Sequence, residues 1–233
     1  MIRDPLRDVH DASLRAPDDG DPTTVDGADL AGLRLARRRF GIALPPPFVD
    51  APRDPAALPI RPGGAGDGAA IAALQRRSWR VSYRGLISDR FLDDLDLSYL
   101  GAYWCGRAAV SPGPRHRLLV AGRPGEVHGV VDTGPGREAD LSVDDGWGEV
   151  RSLYLDPTVV GRGLGSVLLA AAEGLLRDAG FTAAVLWVVD GNAPARRFYE
   201  RLGWVADGAT KRTPVDDEVL DEVRYRRHLV APG

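Results

Sequence analysis

VVGRGLGSVLLAAAEGLL, residues 159–176, runs three glycines, Gly161, Gly163 and Gly165, straight into an apolar pattern of helical period. A glycine-rich loop that opens a helix presents backbone N–H groups without intrahelical partners, at the positive end of the helix macrodipole. Phosphate is the usual guest at such a place. Three glycines in five residues also carry a backbone-entropy cost that a connection without a ligand has less reason to bear. The helix itself reads clearly. Leu164, Val167, Leu168, Ala171, Ala172, Leu175, Leu176 and Ala179 recur at intervals of three and four, and Gly180 ends it.

Working outward from this helix, GEVRSLYLDP (148–157) is a strand stopped by Pro157, and FTAAVLWVV (181–189) is a continuous apolar run, as a strand covered on both faces would be. NAPARRFYERLG (192–203) is a short helix with Asn192 as cap, Pro194 in its first turn and Gly203 at its close. WVADGATKR and EVRYRRHL pair as a final hairpin. Upstream, HRLLVAG and EVHGVVDTG are strands joined by the turn RPGE. GAAIAALQRRSW is a helix with Ile71 and Leu74 inward, and SDRFLDDLD is a second, capped by Ser88, with Phe91, Leu92 and Leu95 on one face. Two helices, a strand meander, then strand–helix–strand–helix–strands make one α+β domain with a mixed, mostly antiparallel central sheet flanked by helices. Residues 1–58 differ: they are rich in Asp, Arg and Pro, and read as a partly disordered extension with one helical candidate, ADLAGLRLARRRF, striped by Leu30, Leu33 and Phe40. The basic run Arg37–Arg39 on it reads as a solvated face. The domain proper spans residues 59–229.

With 233 residues and a formal net charge of -3, the chain can bury one sizeable core, and its charge gives no general pull toward nucleic acid or membrane. Cys105 is the only cysteine, so no disulfide framework exists; it reads as a core residue, and a reducing cytoplasm fits. The charged start lacks the apolar core of a signal peptide, no run is long enough to span a bilayer, and the four histidines have no metal-ligand spacing.

Which phosphate compound the loop would hold can be narrowed. A nucleoside triphosphate loop needs Gly-Lys-Ser/Thr at its end, and here Gly163-Leu164-Gly165-Ser166 offers no lysine. A dinucleotide loop needs G-x-G-x-x-G in a tight turn after the strand. Here the pattern is G-x-G-x-G, and five residues, Asp156 to Val160, intervene. Asp190, at the end of the next strand, is the one feature in favour of that reading, and a dinucleotide-binding oxidoreductase stays as a weaker alternative.

SLYLDPTVVGRGLGSVLL resembles the acetyl-coenzyme-A loop of the GCN5-related N-acetyltransferases. The family pattern Gln/Arg-x-x-Gly-x-Gly/Ala falls on residues 160–165, with Val160 where Gln or Arg is usual. NAPARRFYERLGW resembles a second family signature through Asn192, Ala195, Phe198, Tyr199 and Gly203, with Trp204 in place of Phe. IRP (60–62) and VRYRR (223–227) are similar to family segments too, and the likeness runs from about residue 59 to 229. It implies an acetyl-CoA-dependent N-acetyltransferase that moves an acetyl group directly to a primary amine of a small molecule or peptide, with no metal. It is compatible with a homodimer. A non-catalytic acyl-CoA-binding module is the alternative.

The resemblance also implies roles. Gly161, Arg162, Gly163, Leu164, Gly165 and Ser166 would hold the pyrophosphate. The backbone of Leu153, Tyr154 and Leu155, on a strand bulged and splayed from its neighbour, would pair with the pantetheine arm. Asn192 is a coenzyme contact or only a helix cap. Tyr199 is the candidate acid for the departing sulfur, since a phenol with a pKa of about 10 keeps its proton at neutral pH, or else it is packed core. Glu149 is a base acting through water, or a solvated strand-end carboxylate. Trp79 and Tyr83 are walls of the acceptor pocket, or ordinary core. Asp89, Asp93, Asp94 and Asp96 would draw a cationic amine, or form a solvated helix face.

Overall fold

A computed structural model describes residues 52–109, 115–138, 140–141, 146–215 and 218–229. The helical candidate at 28–40 and most of the expected extension lie outside the described residues. One seven-stranded sheet organises the rest. Its strands are β1 (Ile60–Pro62), β2 (Arg117–Ala121), β3 (Gly129–Pro135), β4 (Trp147–Leu155), β5 (Ala183–Val189), β6 (Val205–Val215) and β7 (Glu218–His228), in the order β1-β2-β3-β4-β5-β7-β6. Every neighbouring pair is antiparallel except β4 with β5. The fold is therefore the expected α+β arrangement, and its topology is not the parallel, doubly wound sheet that the dinucleotide alternative requires.

Five helices cover the two faces: α1 (Gly68–Ser82), α2 (Asp89–Asp94), α3 (Leu97–Ala109), α4 (Leu164–Asp178) and α5 (Ala193–Arg201). The period-2 alternation of the strands sorts the core. In β2, Leu118 and Val120 join Ile71, Leu74, Leu92, Leu100 and Trp104 under α1–α3, while Leu119 and Ala121 join Leu164, Leu168, Leu169 and Leu176 under α4. Ser88 caps α2, its Oγ accepting from the Phe91 N–H at 3.3 Å, as its sequence suggests.

Among the described residues three helices precede the meander, where the sequence pattern predicts two. The addition, α3, is apolar nearly all round, so it shows no amphipathic stripe. Its one local signal is Asp96, whose Oδ1 accepts from the N–H groups of Ser98 (2.7 Å) and Tyr99 (3.3 Å). IRP forms the short edge strand β1, and the helix behind it begins six residues later, at Gly68. Cys105 is half-buried rather than core, its thiol donating to the Ala65 carbonyl at 3.1 Å. Among the described residues no helix is long and apolar enough to cross a membrane.

Two features shape the site. The parallel pairing of β4 with β5 covers only Trp147, Gly148 and Glu149 against Ala183, Ala184 and Val185; beyond this the strands part, β4 following β3 and β5 following β7. The register of β3 against β4 also slips by one residue between Asp132 and Thr133, leaving Arg151 as the bulged residue.

A buried ion pair ties α3 to the sheet beside that bulge. Arg107 donates to both carboxylate oxygens of Asp132 at 3.0 and 2.7 Å, and both side chains are 2% exposed. Removing one partner strands the other charge in the core. Arg107→Leu is expected to destabilise the protein by about 3–5 kcal/mol in urea unfolding, with Arg107→Leu/Asp132→Leu recovering most of the loss. Equal stability of the single and double variants would show that the pair is not what makes Asp132 tolerable.

Candidate functional site

The parting of β4 and β5 opens a cavity of about 600 Å³. The connection from β4 to α4 forms one end. Asp156 starts it, its Oδ1 accepting from the Thr158 N–H (3.0 Å) and hydroxyl (2.7 Å) while Arg77 of α1 donates to Oδ2 at 2.8 Å. Burial pushes the Asp156 carboxyl up, but the bonds from Thr158 and Arg77 outweigh it and hold the group below its ordinary value.

The glycines then do what their sequence implies. Gly163 is the residue before α4 and has φ +91°, a left-handed conformation that a side chain would strain. A Cβ on Gly165 would lie 3.1 Å from Leu155 and 3.3 Å from the Phe198 ring, so glycine there lets α4 start close to β4 and α5 without those side chains having to give. Among the described residues the N–H groups of Gly163, Leu164 and Gly165 have no hydrogen-bond acceptor, and they stand together at the helix start. Backbone N–H groups grouped in this way are suited to an anion.

Most of the expected site residues meet in this cavity. Glu149, Leu153, Tyr154, Leu155, Gly161, Gly163, Gly165, Ser166, Asn192, Tyr199, Trp79 and Tyr83 all line it. Arg162 and Leu164 do not. The Arg162 guanidinium donates to the Arg53 carbonyl at 2.7 Å, and the Leu164 side chain is core. Residues 52–58, read from sequence as part of the extension, lie against the domain here: Pro55 is buried, Leu58 packs on the α4 core, and Ala56 approaches Gly163.

Asn192 caps α5, its Oδ1 accepting from the Ala195 N–H at 3.2 Å, and borders the cavity as well. Tyr199 is 9% exposed, with Phe198, Trp204 and Tyr225 rings 5.1, 6.3 and 6.2 Å from its own. Burial raises the pKa of its phenol well above the ordinary value, so it stays protonated. Trp79 and Tyr83 are packed edge to face at 5.5 Å and are at once core and wall.

Glu149 is no solvated strand-end carboxylate. It is 1% exposed and accepts a two-pronged pair of bonds from Arg137 at 2.7 and 2.8 Å, with the Arg151 Nε 3.9 Å away. Burial pushes its pKa up; the Arg137 bonds and the Arg137, Arg151 and Lys211 charges pull it below the ordinary range. The acidic residues considered as a lure for amines sit elsewhere. Asp89, Asp93 and Asp94 pair with Arg84, Arg80 and Arg90, and Asp96 caps α3.

Several lining residues escaped the reading of the sequence. Arg151, Trp187 and Glu222 border the end of the cavity away from the glycines. Trp187 lies under the Lys211 ammonium at 4.3 Å, and Lys211 pairs with Glu222 at 3.4 Å; Glu222 also accepts from the Thr213 hydroxyl. Arg197 and Arg201 of α5 border the glycine end. These residues are brought together by strand pairing and by a bulge, which local patterns do not announce.

The chain belongs to the acetyltransferase (GNAT) family, whose family model matches residues 72–204, more than half of its length. It is 28% identical over 130 residues to the uncharacterized N-acetyltransferase YuaI of Bacillus subtilis, a match covering 56% of this chain and 70% of YuaI. It is 46% identical over 57 residues to the mycothiol acetyltransferase of Thermomonospora curvata, but that match covers 24% of this chain and only 19% of the relative. The PaiA N-acetyltransferase of Thermoplasma acidophilum, solved with coenzyme A, superposes with a TM-score of 0.59 at 18% identity, over 74% of this chain and 99% of that one. YncA of Salmonella typhimurium, solved with acetyl-CoA, gives 0.55 at 22% identity, over 76% and 96%. At these identities the structural likeness speaks for the fold.

The Asp156 clamp carries a pH signature. Its folded pKa is depressed, so the stability it contributes is full above the unfolded value of about 4 and is lost as pH falls through the folded value. Asp156→Asn should therefore lower Tm at pH 7 and do so much less near pH 2.5. An equal loss at both pH values would remove the ion pair as the cause.

Proposed function

We propose that the protein is an acetyl-CoA-dependent N-acetyltransferase that passes the acetyl group directly to a primary amine. The observation that carries this reading is the set of acceptor-free N–H groups at Gly163, Leu164 and Gly165, at the mouth of a gap that also holds a buried, protonated phenol. The N–H groups and the α4 dipole would hold the pyrophosphate of the donor. The edge of β4 from Leu153 to Leu155, left without a β5 partner, would take the pantetheine arm as an added strand. Family membership and the coenzyme seen in the solved neighbours support both assignments.

Tyr199 would act on the sulfur. Its raised pKa makes complete transfer to a thiolate of pKa about 8.5 uphill, so the phenol serves as a hydrogen-bond donor that steadies the developing negative charge. Glu149, held anionic by Arg137, has little appetite for a proton; the reading that fits keeps it as a relay through water, with solvent as the final acceptor. Residues 1–58 are proposed to be an extension whose last part, 52–58, lies against the domain. The single cysteine supports placing the activity in the cytoplasm.

Two measurements test this. In calorimetry, Gly163→Glu should abolish coenzyme A binding while leaving the fold intact, because a carboxylate would stand where the pyrophosphate charge sits. Retained affinity would sink the loop assignment. In steady-state thiol release with a free primary amine as acceptor, Tyr199→Phe should lower kcat by about 100- to 1,000-fold, the usual loss for one transition-state donor, with a small change in KM for acetyl-CoA. A near-normal kcat under chemistry-limited conditions would leave Tyr199 as packing.

A further inference from the structure

The last stretch before the sheet, Arg53 to Leu58, lies across the start of α4. Asp54 opens a 3₁₀ turn at Pro55–Ala57, its Oδ1 accepting from the Ala56 N–H at 3.1 Å. The backbone closes the same turn, the N–H groups of Ala57 and Leu58 donating to the carbonyls of Asp54 and Pro55, each at 3.3 Å. Pro55 is buried, and Leu58 packs on the core under α4. Downstream the stretch is fixed to the sheet, where the Pro59 carbonyl accepts from the Gly122 N–H at 2.9 Å. Upstream it is fixed to the glycine loop. The Arg162 guanidinium donates to the Arg53 carbonyl at 2.7 Å, and a Cβ built on Gly163 would lie 3.5 Å from the Ala56 methyl.

The near end of the glycine loop is clamped through Asp156 to Thr158 and Arg77. The far end is looser. Val160, Gly161, Arg162 and Gly163 are all exposed, and the space around Gly161 is open. Val160 and the two glycines have no polar side chain. Arg162 is therefore the one residue of these four that can tie the loop down by a side-chain hydrogen bond, and its acceptor is 109 residues away in sequence. Arg162 does not line the cavity; its guanidinium is spent on Arg53. A hydrogen bond from a charged donor is among the stronger ones available at a surface. Glycines let the loop adopt its left-handed turns and also leave it free to abandon them. Holding such a loop in place beforehand lowers the ordering cost that binding has to meet.

We propose that residues 53–58 are a strap that holds the glycine loop in its binding conformation, so that seating of the strap and binding of the donor coenzyme favour each other, with Arg162 as the positioning residue that joins them. The inference rests on the reading of the loop as the coenzyme site. Such coupling is reciprocal: whatever the seated strap adds to coenzyme affinity, the bound coenzyme adds to the stability of the strap.

The test uses the full chain, with coenzyme A as the probe. Hydrogen exchange read by mass spectrometry on wild type reports on the strap directly, because the amides of Ala56, Ala57 and Leu58 are all hydrogen-bonded within it. Saturating coenzyme A should slow their exchange by about 3- to 30-fold; unchanged exchange overturns the proposal. In calorimetry, Asp54→Ala/Pro55→Gly removes the cap and the stiffness of the turn without touching the loop. It should weaken coenzyme A binding by about 3- to 30-fold. Arg162→Gln should weaken it to a similar extent, and the triple variant by about the larger of the two losses, because both changes cut the same tie. Unchanged affinity in Asp54→Ala/Pro55→Gly or in Arg162→Gln overturns the proposal. So do losses that multiply in the triple variant, the mark of an Arg162 that acts on the coenzyme directly. If wild type binds coenzyme A and these results go against the strap, only this inference falls. If wild type does not bind coenzyme A, the N-acetyltransferase reading falls and takes the inference with it.

Discussion

The separation of β4 from β5 after three paired residues is the constraint on which the rest of the molecule depends. A sheet interior normally satisfies both edges of every strand, because a buried backbone group without a partner is expensive. Here β4 runs on for six residues past Glu149 with its β3 edge paired and its β5 edge open. The opening survives because both strands are fastened on their far sides, β4 to β3 and β5 to β7. Further along, Arg77 fastens the exit of β4 to α1 through Asp156.

Charged residues sit deep on the other side of β4. Between β3, β4 and α3 lies a chain of guanidinium and carboxylate groups, most of them hidden from water. Buried pairs of this kind add little net stability over apolar packing. Their value here is geometric. Each two-pronged Arg–carboxylate contact fixes two side chains in one plane, and the bulged residue Arg151 is held next to that lattice without being used up by it.

Much of the architecture can be read without coordinates. The glycine triplet, the helix after it, the apolar run of β5, the Asn192 cap and the final hairpin all rest on local rules of period, capping and turn chemistry, and they recur at the expected positions. What escapes is what those rules do not carry. Helix α3 is apolar on nearly every face, so period alone cannot announce it. The engagement of Glu149 by Arg137 crosses twelve residues and a strand turn. Arg151 reads as an unremarkable strand arginine until the register slip against β3 singles it out. The residues that line the glycine end of the cavity are thus legible from local sequence, since glycine spacing and the helix start place them. The other end, lined by side chains from β4, β5, β7 and α1, is not.

One oddity of composition gains meaning from the placement of Lys211. It is the only lysine in the chain, 14% exposed, laid on the Trp187 ring and paired with Glu222. Arginine supplies every other basic side chain apart from histidine, and a guanidinium is no nucleophile at neutral pH because it keeps its proton. A member of an acetyltransferase family thus presents almost no side-chain amine of its own. Its side chains are chemically quiet toward activated acyl compounds, and reagents that label lysine side chains would report on the corner where Lys211 meets Trp187 and Glu222 rather than on the exterior at large.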